Sequence, residues 1–182
     1  MQVLDPFFIT WAPLKTMQEA QEWITNLALL PHPEGGFYRE VYRSPASVMV
    51  EHLNQGFNRS RNISTSIYYL LRSDERSCFH RLKSDEVWYF HAGSSLTLVM
   101  LHEAGVEYVS LGLDVSKGEI LQFVVPANTW FGAFVPTRES FALCSCNVAP
   151  GFDFSDFEMG SRGDLLSRFP ACKTDIEMLT PI

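Results

Sequence analysis

A chain of 182 residues, 46% apolar and 19% charged, is long enough for one buried core and needs no second domain. A formal net charge of −7 excludes the basic surface that a nucleic acid partner requires, and Arg59 and Arg61 make only a small local cluster. The start MQVLDPFFITWAPLK lacks a signal-peptide pattern and no stretch reaches about 18 apolar residues, so the expected compartment is the cytoplasm, with no membrane contact and four Cys as thiols.

Residues 1–15 read as an N-terminal extension. Thr16-Met17-Gln18-Glu19 offers a capping box, and Ala20, Trp23, Ile24, Leu27 and Leu30 follow at helical spacing. This predicts a helix over 16–30, stopped by Pro31 and Pro33, with one face packed on the remainder of the protein. PHPEGG then turns the chain. Glu34 beside Gly35 and Gly36 reads either as a pocket-mouth residue or as a solvated turn residue, and His32, held between two prolines, has no evident partner. FYREVYRS alternates Phe37, Arg39, Val41 and Arg43 against Tyr38, Glu40 and Tyr42, which suits a sheet edge or a subunit interface. A strand end and a Gly/Asn/Arg loop occupy 47–61, and a strong strand runs from Ile63 to Leu71.

The densest chemistry lies in FHRLKSDEVWYFHAG, from Phe79 to Gly93. It reads as two strands joined by Lys83-Ser84-Asp85, with Glu86, Trp88 and Phe90 on one face and Val87, Tyr89 and His91 on the other. A carboxylate between aromatics needs a partner, a metal or a raised pKa, and His80 across the turn is the expected partner. The alternative is a solvated Glu86 and a His80 satisfied by a backbone carbonyl. Beyond Gly93, SLTLVMLH, EYVSLGL, LQFVVP and SFALCSCNV read as short strands of a sandwich or barrel, with Cys144 and Cys146 packed on one face. Phe152, Phe154 and Phe157, interleaved with Asp153, Asp156 and Glu158, read as a cover across one barrel end or as edge packing. A short helix is expected over Gly160–Phe169, and the final residues as poorly fixed.

The spacing of His80, Glu86 and Gly93 resembles the first motif of the cupin superfamily, with Leu82 at its second His position. Pro126 to Phe131 resembles the second motif, with Asn128 in place of its Gly and Phe131 in place of its last His. The blocks at 31–44, 66–71, 79–93, 124–133 and 148–158 are similar to an uncharacterised cupin-like family with no agreed reaction. This resemblance implies an all-β fold, a double-stranded β-helix or jelly-roll barrel over residues 36–150, with an N-terminal α-helix, a C-terminal segment over 151–182 and assembly as a homodimer. It also implies that Phe131 points inward and Trp130 outward or to the rim.

The pocket expected from this alignment is lined by His80, Leu82, Glu86, Trp88, Phe90 and Phe131, with Glu34 at the mouth, and suits a ring or a small amphipathic molecule. Three readings stay open. One is a metal-free isomerase or epimerase with His80 as acid or base, poised by Glu86. Another is a metal-dependent oxygenase or isomerase, although Leu82 and Phe131 leave the ligand set incomplete, so no cofactor is expected. The third is a non-catalytic binding or storage protein.

Overall fold

The computed structural model describes residues 16–53 and 56–181, so the extension over 1–15 lies outside the described residues. Thr16 caps the first helix by accepting from the Glu19 N–H at 3.3 Å, and α1 runs Met17–Asn26. The helix stops short of Leu30 because Ala28 takes a left-handed φ of 51°, and Leu30–Pro31 already belongs to a strand, β1. The prolines follow the stop and do not cause it.

The remaining strands are β2 (Phe37–Arg43), β3 (Ser47–Val48), β4 (Arg61–Asn62), β5 (Thr65–Arg72), β6 (Ser77–Leu82) and β7 (Asp85–Gly93). After them come β8 (Leu96–His102), β9 (Gly105–Leu111), β10 (Gln122–Val125), β11 (Trp130–Phe134), β12 (Phe141–Ala149) and β13 (Phe157–Met159). Two short helices follow, α2 (Arg162–Arg168) and α3 (Lys173–Met178). No helix among the described residues is long and apolar enough to cross a membrane.

Antiparallel pairing builds two main sheets, one in the order β1-β2-β5-β12-β7-β10 and one in the order β13-β6-β11-β8-β9, with β3 and β4 forming a small separate pair. This is the expected jelly-roll arrangement. β6 and β7 are neighbours in sequence but lie in different sheets, so the turn at Lys83 and Ser84 carries the chain across. His80 and Glu86 consequently sit on opposite walls.

Between the walls, Tyr69, Leu71, Trp88 and Phe90 from one sheet pack against Leu98, Met100 and Phe131 from the other. The outer faces are covered as well. Leu70, Phe141 and Leu143 lie under Ala20 and Ile24 of α1, while Phe79, Val99, Leu101 and Trp130 lie under Leu165, Phe169, Ile176 and Leu179. Burial on both faces explains why β8 and β12 read as nearly unbroken apolar runs without alternation.

The C-terminal residues up to Thr180 are fixed, contrary to expectation. Ile176 and Leu179 are fully buried, each worth roughly 1.5–3 kcal/mol of transfer free energy, and the Phe79 N–H donates to the Leu179 carbonyl at 2.7 Å. Trp130 points out of the sandwich, as the motif alignment implied, yet it is buried under this cap with the Arg81 guanidinium 4.6 Å from its ring centre. β2 is open along part of its length, because β1 pairs only with Phe37 and Tyr38 and leaves Val41 and Tyr42 exposed.

Candidate functional site

Five residues separate β1 from β2, and their turn sets the first functional side chain. The His32 N–H donates to the Gly36 carbonyl at 2.9 Å, the Gly35 N–H to the His32 carbonyl at 3.0 Å, and the Cys78 N–H to the Glu34 carbonyl at 2.8 Å. The turn is thereby tied to β6, and the Glu34 side chain enters the interior with 5% exposure. Gly35 makes this possible, since its φ is +111° and a Cβ there would strike the carbonyl of Arg76. Gly35→Ala is therefore expected to cost about 2 kcal/mol or more in urea denaturation, from the strained φ plus the displaced turn.

The buried carboxyl meets three side chains. Ser77 Oγ donates to Glu34 Oε1 at 2.9 Å, His80 Nε2 lies 3.1 Å from Glu34 Oε2, and His32 Nδ1 lies 3.4 Å from the same oxygen. His80 Nδ1 faces the Cys78 carbonyl at 2.8 Å. A carbonyl only accepts, so Nδ1 carries the imidazole proton and Nε2 is the free base. Burial lowers the His80 pKa to about 4, against a smaller upward pull from the Cys78 carbonyl. Burial also raises the pKa of Glu34, offset in part by His32, Ser77 and Tyr69. Both shifts run toward the neutral forms, and the 3.1 Å contact is short enough for one proton to be shared between Oε2 and Nε2.

These groups open on a cavity of about 350 Å³ between the sheets. Glu34, His80, Glu86 and Trp88 contribute polar atoms, Ile67, Leu82 and Val148 supply an apolar wall, and Phe152, Phe154 and Phe157 stand at the C-terminal side. The Phe157 ring lies 5.3 Å from the His80 ring at an interplanar angle of 34°. The segment carrying these Phe residues is anchored by Asp156, which receives Arg61 Nε at 2.5 Å and Nη2 at 2.7 Å.

Glu86 lies on the opposite wall, 7% exposed, with Oε2 unpartnered. Its pKa rises to about 8, first through burial and then through the nearby Glu34, and the Trp88 indole and Cys146 thiol offset this only in part. The buried carboxyl that meets His80 is thus Glu34 rather than Glu86, which corrects the sequence-based pairing. That pairing assumed one hairpin, whereas the turn after β6 crosses between sheets.

Five of the seven anticipated residues, Glu34, His80, Leu82, Glu86 and Trp88, line the cavity. Two do not. Phe131 packs behind His80 at 4.2 Å between ring centres, and Phe90 lies deeper in the core beside a separate groove at Gly93 and Thr137. Both point inward, but the interior extends beyond the cavity. His32, Ser77, Tyr69 and Cys146 were not anticipated in the site. The parity of SIYYLL, which sends Tyr69 inward with Leu71, was the available signal for Tyr69.

The donor set does not fit a resident cation of the cupin type. Leu82 and Phe131, which carry no donor, stand at two of the positions that the cupin motifs give to ligands, and no group of three His, Cys, Asp or Glu among the described residues is arranged to hold an ion.

Comparison with known proteins agrees with this architecture. Residues 21–160 match a family model described as Cupin superfamily (DUF985). The chain is 34% identical over 145 residues to the uncharacterised protein YML079W of Saccharomyces cerevisiae, covering 75% of this chain and 72% of that one. Among solved structures, a hypothetical protein from Leishmania major superposes with a TM-score of 0.82 at 35% identity, covering 90% of this chain and 99% of that one. Protein SO0799 from Shewanella oneidensis superposes with a TM-score of 0.78 at 42% identity, covering 89% and 97%. With the family model spanning most of the chain and a yeast relative above 30% identity, the chain belongs to the DUF985 family of the cupin superfamily.

Proposed function

We propose that this cupin binds a small molecule in the cavity and moves a proton on it through the Glu34–His80 pair, as an isomerase or epimerase does, without a resident metal. The observation that supports this most is the 3.1 Å contact between Glu34 Oε2 and His80 Nε2 at the cavity wall. Burial pushes the acid up and the base down, which favours Glu34 as the proton donor of the pair and His80 Nε2 as its neutral acceptor. His80 Nε2 is the base, Glu34 holds or supplies the proton, and the Cys78 carbonyl fixes the tautomer. Glu34 takes the poising role first given to Glu86.

The test is solvent deuterium exchange at carbons next to the carbonyl of candidate ketones and sugars, followed by NMR. His80→Gln keeps a hydrogen-bonding side chain and lacks the titration, so exchange should fall about a hundredfold or more. Unchanged exchange would remove the acid–base role and leave the pocket as a binding site alone. The cytosol is the compartment we propose, in keeping with Cys78, Cys144, Cys146 and Cys172 as unpaired thiols.

A further inference from the structure

Two polar atoms of the cavity wall have no partner. Trp88 Nε1 and Glu86 Oε2 are buried on residues 1% and 7% exposed, and although the indole lies near enough to the carboxyl to ease its ionisation, neither atom completes a hydrogen bond of good geometry. They stand two positions apart on β7, share its inward face and both line the cavity. Folded proteins pair nearly all buried polar groups with protein, water or ligand, so two adjacent orphans mark a place that something occupies.

Their chemistry defines the occupant. An indole N–H only donates, so whatever meets Trp88 brings an acceptor. The Glu86 carboxyl, held neutral at neutral pH by its surroundings, brings an O–H of its own. Ile67, Leu82, Val148 and Phe157 surround the pair with apolar surface. Among the described residues on the lining, Arg43 is the one Lys or Arg, and both Glu40 oxygens already hold it at 3.0 and 2.6 Å. Glu34, Glu40, Glu86 and Asp153 line the same space. A carboxylate or phosphate would find no free cation there.

We propose that Trp88 Nε1 and Glu86 Oε2 cradle one carbonyl oxygen of an uncharged ring compound, with the ring lying on Ile67, Leu82, Val148 and Phe157. This rests on the cavity being a small-molecule site and names the ligand class that it takes. A water bridging the two atoms is the competing occupant, and it would give the oxygen of a ligand no advantage.

The probes are 1-indanone and indane, which share a bicyclic frame with and without the carbonyl, and 2-indanecarboxylate as the anion. Binding to the full chain at pH 7 is followed by protein NMR, whose spectra also report whether each variant is folded. 1-Indanone should bind about tenfold tighter than indane, because only the ketone satisfies the buried donors. Trp88→Phe keeps a ring and lacks the N–H, and Glu86→Leu lacks the carboxyl; each should cut that preference severalfold. Glu86→Gln, whose amide still donates, should retain it. Trp88 belongs to the core, so the two Glu86 variants carry the test if Trp88→Phe does not fold. Equal binding of ketone and hydrocarbon overturns the cradle and leaves the pocket standing. Preference for the carboxylate overturns the uncharged class. Failure of all three probes to bind removes the pocket reading, and the cradle with it.

Discussion

Glu86→Gln is expected to raise stability at pH 8 by on the order of 4 kcal/mol and to change it little near pH 4.5. In the folded chain the Glu86 pKa stands at about 8 against an ordinary 4.5, so between those values the folded state holds a proton that the unfolded state has released. Stability therefore falls as pH rises through that window. His80 acts in the opposite sense. Its pKa drops from 6.5 to about 4, so below pH 6.5 the unfolded state binds a proton that the folded state refuses. From about pH 4.5 to 6.5 the two slopes cancel. Above 6.5 only the carboxyl acts, and the wild type should lose about 2 kcal/mol up to pH 8 at roughly 1.4 kcal/mol per unit. Glu34, raised, adds to the fall at high pH, and His32, lowered, adds to the fall at low pH. Urea denaturation of both proteins at pH 5, 6.5 and 8 checks this. A Gln variant that loses as much stability as the wild type between pH 6.5 and 8 would mean that Glu86 is ionised throughout.

Asp156→Ala should cost about 3 kcal/mol and loosen the segment over 152–157. Arg61 and Asp156 are 3% and 7% exposed, and two guanidinium nitrogens meet the two carboxylate oxygens. Removing the acid leaves a covered cation whose remaining partners are the Arg59 and Ser60 carbonyls, the Ser155 hydroxyl and the Asn58 side chain. The pair lies close to the surface, which places the loss toward the lower end of the range for buried pairs. Lys83, 3.4 Å from Asp156 and one-third exposed, is screened by solvent, so Lys83→Ala should cost under about 1 kcal/mol. Amide exchange at Phe157–Met159 provides the second readout, because β13 is paired to His80 through Met159. Protection there that survives Asp156→Ala would show that β13 holds itself without the ion pair.

Much of this fold is legible in the residues. The capping pair Thr16 and Glu19, the parity of Glu86, Trp88 and Phe90, and the alternation of strands and turns after Gly93 all follow local rules that tertiary packing does not override. Asn128 also behaves as its position suggests, with a φ of 62° that Gly would adopt freely and Asn tolerates. The partner of His80 was not legible, because parity assigns a face within one strand and says nothing about which sheet the next strand joins. Glu34 reaches His80 through a turn in which two glycines allow a close approach of backbones, and that approach depends on β6, distant in the chain. The last helix escaped notice because KTDIEM buries a single apolar residue, Ile176, and gains its hold from Leu179 just beyond it.

The neighbours of β6 have a consequence for the order in which the site is assembled. β6 pairs with β11 and β13, and the Phe79 N–H is taken up by Leu179. All three are made after His80 in chain order. A nascent chain that has reached Ala149 has both strands flanking β7, which carries Glu86, while His80 still lacks β13 on one side. The wall bearing His80 is thus finished last, and the cavity is not enclosed on that side until the chain has passed β13.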